Sequence, residues 1–387
     1  MAAVPEPSPL PPVPLVDLQK QMAAIGETIQ HRMAAVLSGG DFILGGAVGA
    51  LETRLASYAG VGHAIAVANG TDALQIALMA MGVGRGDAVF VPAFTFAATA
   101  GAVVLAGATP VFIDIDDTTL TMDPQHLEDA IEAVRKAGKL TPRAVVPVDL
   151  FGRPADYPAI HALAQTAGLQ VLADAAQSFG AMQGSGPAAR PVGSLAPITT
   201  VSFYPSKPLG CFGDGGAILT DDPALAQHCR RLRGHGFDAS GEAREVGMNS
   251  RLDSLQAAVL LAKLDVFDRE LEARAQAAAW YEARLRGHLR TPAGPPDGRS
   301  AWAVYCVRAA QRDQLREALR AAGIASAIYY AKPLHLHAAY AAYGDGAGSL
   351  PVSERASAEA VALPMHGYLD EPTVTRVCDT VIGALQA

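Results

Sequence analysis

The chain has 387 residues, half of them hydrophobic and 18% charged, with a formal net charge of −8. That composition excludes global disorder and allows a large buried interior divided over two or three domains. The acidic balance argues against nucleic acid or an anionic membrane surface as the main partner, and four cysteines without CxxC spacing argue against a disulfide framework or a zinc site.

Residues 1–14, ending in PEPSPLPPVP, read as an extended proline-rich tail. They lack a basic region followed by an apolar one, so they do not read as a signal peptide, and no run of about 18 uncharged apolar residues occurs in the chain. A cytoplasmic protein is expected. From Leu15 onward helical and strand signals alternate, the mark of an α/β layered domain. Short β-branched or apolar runs predict strands at His63–Ala68, Ala88–Pro92, Thr109–Ile113, Ala144–Val148, Gln170–Ala173, Thr199–Phe203 and Gly216–Thr220. Helical patterns lie between them at Asp72–Met81, Pro124–Ala137 and Ala155–Ala167. The strands read as fully buried runs, which predicts one mostly parallel sheet covered on both faces. A long helical pattern, Leu252–Leu285, would lead out of this domain. After the loop Thr291–Ser300, a strand at Ala301–Val307 and a helix at Gln311–Ala322 predict a smaller C-terminal α+β domain. The expected division is a tail (1–14), a large domain (15–268) and a small domain (269–387).

Four segments carry the candidate chemistry. Asn69-Gly70-Thr71-Asp72 follows a strand and opens a helix, where free N–H groups make an anion site and glycine lets a phosphate approach the main chain. An ordinary capped turn is the plainer reading of that segment alone. Val171-Leu172-Ala173-Asp174 ends an apolar strand in one carboxylate, with Gln177 three residues on. Ligands of open α/β sheets bind at such strand ends, and a protonated ring nitrogen would suit the aspartate, as would a helix N-cap role. Ser202-Phe203-Tyr204-Pro205-Ser206-Lys207 leads into a glycine-rich stretch, and its apolar neighbours would desolvate Lys207 into an amine nucleophile rather than a surface cation. Asn249-Ser250-Arg251 precedes the long helix pattern and offers fixed donors for phosphate or carboxylate, or simply a cap. Two rival readings lack their residues: Gly82-Val83-Gly84-Arg85-Gly86 follows a helix where a dinucleotide fingerprint follows a strand, and neither a GK[ST] loop nor an HExxH pair occurs.

In this order and spacing, with Lys207 standing 33 residues after Asp174 inside SFYPSKPLGCFGDGGA, the segments resemble the DegT/DnrJ/EryC1/StrS family of aminotransferases acting on nucleotide-linked keto sugars. The resemblance runs from about Leu15 to the C-terminus. It implies fold type I, with a three-layer αβα large domain around a mostly parallel seven-stranded sheet, and pyridoxal 5′-phosphate (PLP) as cofactor. It further implies that Lys207 carries the cofactor as a Schiff base and moves the proton in catalysis. Asp174 would pair with the pyridinium nitrogen and Gln177 would lie beside the phenolic oxygen. Gly70, Thr71 and Ser202 would hold the phosphate, Phe96 would stack on the ring, and Asn249 would reach the phosphate from the second subunit of a homodimer. Arg251, Tyr329, Tyr330 and His335 would face the substrate, although Tyr329 stands where relatives often have histidine. The implied reaction moves an amino group from glutamate to C3 of a UDP- or dTDP-linked keto hexose, for surface polysaccharide or amino-sugar synthesis. Amination at C4 is the runner-up. A non-catalytic PLP-binding regulator is the rival of another class, and it should have lost Lys207, Asp174 or Gln177.

Overall fold

The computed structural model describes residues 11–386, so residues 1–10 of the proline-rich segment lie outside it. Residues 11–14 are described, and Val13 is buried, with its N–H donating to Gly323 O and its carbonyl accepting from Ala325 N. The expectation of a loose tail up to Pro14 is therefore corrected at Val13, whose side chain joins an apolar core.

Seven strands form one sheet in the order His63–Val67, Gly216–Thr220, Ile198–Ser202, Gln170–Asp174, Thr141–Val145, Asp87–Pro92 and Thr109–Ile113. Gly216–Thr220 runs against both its neighbours and the remaining pairings are parallel. The reversal has a simple origin. The link between Ile198–Ser202 and Gly216–Thr220 holds no helix, and parallel neighbours would need a crossover. His63–Val67, two reversals away, points the same way as Ile198–Ser202, so the carboxyl ends of six strands share one edge.

Alternate strand residues go to opposite faces. Ala66, Val145, Ala173, Val201 and Leu219 pack with Leu51 and Leu55 of Gly46–Ala59, Leu127 of Pro124–Ala137 and Ile160 of Tyr157–Ala167. Ile65, Val91, Leu172 and Ile218 pack on the other side with Leu74 of Gly70–Ala80, Ala100 of Ala97–Leu105 and Leu232 of Pro223–Arg233. With both faces covered, the strands are continuous apolar runs, and the three αβα layers expected from the sequence are present. A second core gathers Tyr281, Tyr305, Leu315, Leu363 and Val377 around the antiparallel pair Tyr305–Arg308 and Ala360–Leu363.

Three expectations need correction. Two helices, Leu18–Gly39 and Gly46–Ala59, occupy a stretch where no element was assigned. The single helix Leu252–Leu285 is two, Ser254–Leu264 and Phe267–Leu285. At the break, Asp265 accepts ion pairs from Arg32 and Arg54 on the first two helices. The predicted strand Ala301–Val307 pairs only over Tyr305–Arg308, because Ala301 N–H is taken by Gly152 O and Ala303 and Val304 line a cavity.

Candidate active site

A cavity of about 780 Å³ opens at the carboxyl edge of the sheet, a size typical of ligand sites. The register places its main parts side by side. Ser202 pairs with Gly216, Gly216 pairs with Val67, and Asp174 pairs with Thr200, two residues before Ser202.

Asp174 is buried, yet its carboxylate is held on both oxygens: Thr99 Oγ1 donates to Oδ2 at 2.8 Å and Ala176 N–H donates to Oδ1 at 3.2 Å. Burial raises its proton affinity, while these two donors and the charge of Lys207 pull the other way. Lys207 lies in the reversing link, whose turn is closed by Lys207 N–H donating to Tyr204 O. A Cβ at Gly210 would come within 2.6 Å of Pro205 O, so the turn needs glycine there. Burial lowers the Lys207 pKa and the Asp174 charge opposes it. A desolvated amine beside a carboxylate at a strand end is suited to bond to a carbonyl carbon.

The helix Gly70–Ala80 points its N-terminus into the cavity. Asn69 caps it by accepting from Asp72 N–H at 2.8 Å, and the first N–H groups of any helix lack intrahelical partners. A Cβ on Gly70 would lie 2.7 Å from Ser202 Cβ, and one on Gly216 would lie 2.6 Å from the Asn69 carbonyl carbon. Two glycines thus keep open a cradle rimmed by main-chain N–H groups and the Thr71 and Ser202 hydroxyls. Its donor set suits a phosphate, and with Lys207 and Asp174 on the same edge it fits PLP.

Gln177 is held at both ends: Oε1 accepts from Phe151 N–H at 2.7 Å and Nε2 donates to Tyr330 OH at 3.0 Å. Tyr330 packs edge-on against Phe94, 5.8 Å between centroids, and Phe96 stands 60% exposed beside it. Gly70, Thr71, Phe96, Asp174, Gln177, Ser202, Lys207, Tyr329 and Tyr330 all line the cavity.

Three expected residues do not. His335 is buried on a short turn, its Nε2 3.2 Å from Glu354 Oε1 and its ring facing Phe112, so it packs structure rather than substrate. Leu334 N–H donating to Ala93 O fixes that turn away from the cavity. Asn249 is exposed and Arg251 half-buried, both outside the cavity of their own chain. Sequence reasoning missed Thr99. For Thr99 a signal existed: Thr95 and Thr99 are four apart at a helix start, and their hydroxyls are 3.3 Å apart.

Residues 23–382 match the DegT/DnrJ/EryC1/StrS aminotransferase family. The chain belongs to this family. It is therefore a PLP-dependent aminotransferase of fold type I. UDP-2-acetamido-2-deoxy-3-oxo-D-glucuronate aminotransferase of Pseudomonas aeruginosa is 44% identical over 369 residues, 95% of this chain and 98% of the relative. UDP-N-acetyl-3-dehydro-alpha-D-glucosamine 3-aminotransferase of Acidithiobacillus ferrooxidans is 40% identical over 373 residues, 95% and 97% of the two chains. The crystal structure of S. venezuelae DesV in complex with a ketimine intermediate superposes with a TM-score of 0.91 at 38% identity, covering 98% and 100%. Among the described residues no helix is long and apolar enough to cross a membrane.

Proposed function

We propose that this aminotransferase transfers an amino group from glutamate to C3 of a UDP- or dTDP-linked 3-keto hexose, in the cytoplasm, for amino-sugar or surface polysaccharide synthesis. The observation that carries this reading is the pair of relatives acting on 3-oxo UDP sugars, each matched over nearly its whole length. The cavity supports it with aromatic walls, Phe96, Tyr329 and Tyr330, which suit sugar rings and their hydroxyls.

The cofactor, when bound, supplies an electron sink through its protonated ring. In the proposed roles Asp174, held on both oxygens by Thr99 and the Ala176 N–H, pairs with the ring nitrogen. Gln177 turns its amide nitrogen toward the phenolic oxygen. Gly70, Thr71 and Ser202 hold the phosphate and Phe96 covers the ring. Lys207 Nζ takes a proton from Cα of the amino donor and delivers one to the acceptor in the reverse half-reaction. Burial shifts the amine toward the neutral form that this work needs.

The charge inventory supports a homodimer with shared sites. Among the described residues lining the cavity, Asp72, Asp174 and Asp214 are acidic and Lys207 is the one cation. That set offers no arginine to grip a diphosphate or the carboxylates of glutamate. Asn249 and Arg251, outside their own cavity, are proposed to complete the partner's.

A half-reaction screen tests the substrate. The enzyme is charged with glutamate, freed of donor, and offered UDP- and dTDP-linked 3-keto and 4-keto hexoses and a set of 2-oxo acids. Nitrogen should appear at C3 of a nucleotide sugar. Transfer only to 2-oxo acids other than 2-oxoglutarate would end the sugar reading and leave the transamination chemistry intact.

A further inference from the structure

The proposed roles of Asp174 and Gln177 depend on where the segment 174–178 sits, and the neighbouring residues 147–152 grip that segment through four hydrogen bonds. Asp149 N–H donates to Asp174 O at 3.0 Å, and Asp174 N–H donates to Pro147 O at 2.9 Å. Phe151 N–H donates to Gln177 Oε1 at 2.7 Å. Ser178 Oγ donates to Asp149 Oδ2 at 2.8 Å. The turn that makes three of these contacts, residues 149–152, is itself constrained. Phe151 has φ 60° and Gly152 φ 101°, and a Cβ on Gly152 would meet Trp302 N at 2.7 Å.

Asp149 is the centre of this grip. It is fully buried and outside the cavity, and its side chain bonds neither Asp174 nor Gln177 but Ala155, Tyr157 and Ser178. Its carboxylate collects three donors: Ala155 N–H and Tyr157 OH, both at 2.9 Å, on Oδ1, and Ser178 Oγ on Oδ2. A buried carboxylate with three donors fixes those donors in space, because leaving any of them unmatched in a dry interior carries a desolvation penalty. Burial raises its pKa to about 7 against the pull of these donors, and the Asp174 charge adds to the rise.

The Gln177 amide shows what the grip decides. An amide can present either its oxygen or its nitrogen to a ligand. The main-chain donor at Phe151 accepts no alternative, so Oε1 must face it, and the NH₂ end is left toward Tyr330 and the cavity. If the turn and the segment slipped apart, Gln177 could rotate and Asp174 could tilt away from Thr99.

We propose that Asp149 is a positioning residue of this enzyme: through Ser178 and the turn Asp149–Gly152 it locks Asp174 and Gln177 in register with each other, so that one presents a carboxylate and the other an amide NH₂ to the cofactor. The proposal rests on the cofactor contacts assigned above to Asp174 and Gln177.

Ser178→Ala, Asp149→Ala and Asp149→Asn test it, alongside Asp174→Asn and Gln177→Ala. Each is read by PLP affinity, by the pH midpoint of the bound cofactor's visible band, and by the Tm of the apoprotein. Asn at 149 keeps an oxygen for Ala155 and Tyr157 and an amide for Ser178, so it should stay close to wild type in affinity and midpoint. Ser178→Ala and Asp149→Ala should weaken PLP binding by about tenfold, the size expected when a buried hydrogen-bond partner is lost, and shift the midpoint. Ser178→Ala carries the test should Asp149→Ala fail to fold. A lowered apoprotein Tm with affinity and midpoint unchanged in Ser178→Ala would show a merely structural role and overturn the proposal. So would a loss in Asp149→Asn as large as in Asp149→Ala. If Asp174→Asn and Gln177→Ala themselves left the cofactor band unmoved, the assigned contacts would fail, which is a separate result.

Discussion

Lys207 and Asp174 face one cavity and both sit where water is largely excluded. Burial pushes the amine toward its neutral form and the carboxyl toward its protonated form, and each is partly restored by the charge of the other. Such a pair was legible in the sequence because strand, carboxylate, turn and lysine follow in fixed order. Thr99, which donates to Asp174, was not: its spacing of four from Thr95 says nothing of the carboxylate 75 residues away that folding brings against it. His335 shows the opposite error: an imidazole beside two active-site tyrosines was expected in the pocket, and the backbone turns it toward Glu354. A second buried imidazole yields a pH prediction. His366 accepts from Tyr368 N–H on Nδ1, and burial, with the nearby Arg274 charge, lowers its pKa from 6.5 to about 4. Between those values the unfolded chain holds the proton and the folded chain does not, so stability falls as pH drops through that window. One such group contributes a slope of at most about 1.4 kcal/mol per pH unit. His366→Gln should flatten this acid limb in urea unfolding midpoints taken from pH 7 to 4.5. An equally steep limb in the variant would assign the acid sensitivity elsewhere.

Elements were predicted best where a single period runs uninterrupted between clear breakers. Pro124–Ala137 begins at a proline after the Asp123 cap and ends before Gly138, and both ends were placed correctly. The break at Asp265 was invisible because no glycine or proline marks it; ion pairs to two other helices do. The helix Gly70–Ala80 gives the clearest link between element and function. Alanine is the better helix former by about 1 kcal/mol in a helix interior, so local propensity alone favours Gly70→Ala. Its Cβ, however, would enter the cradle 2.7 Å from Ser202 Cβ. Gly70→Ala should therefore weaken PLP binding severalfold while leaving the helical circular dichroism of the apoprotein unchanged. Affinity equal to wild type in equilibrium dialysis would show that the phosphate does not sit there.

At the scale of the whole molecule, an acidic chain must bind two anionic substrates with a cavity containing one cation of its own. The proposed shared sites would resolve this, and they make a prediction no single subunit can satisfy. Lys207→Ala and Arg251→Ala should each be inactive as homodimers, and mixing them should restore up to about a quarter of wild-type activity per site through heterodimers with one intact pocket, by the closed two-fold symmetry of such assemblies. No recovery after proven subunit exchange would place Arg251 outside the partner's pocket. The sequence by itself determined the layered α/β scaffold and the seven strands, because periodicity is a property of neighbouring residues, and family resemblance singled out Lys207, Asp174 and Gln177. Tertiary structure alone decided that Gly216–Thr220 reverses, that Thr99 and the Asp149 turn hold the site, and that His335, Asn249 and Arg251 stand outside the cavity of their own chain. These depend on contacts between residues distant in the chain, and such contacts leave no periodic trace in it.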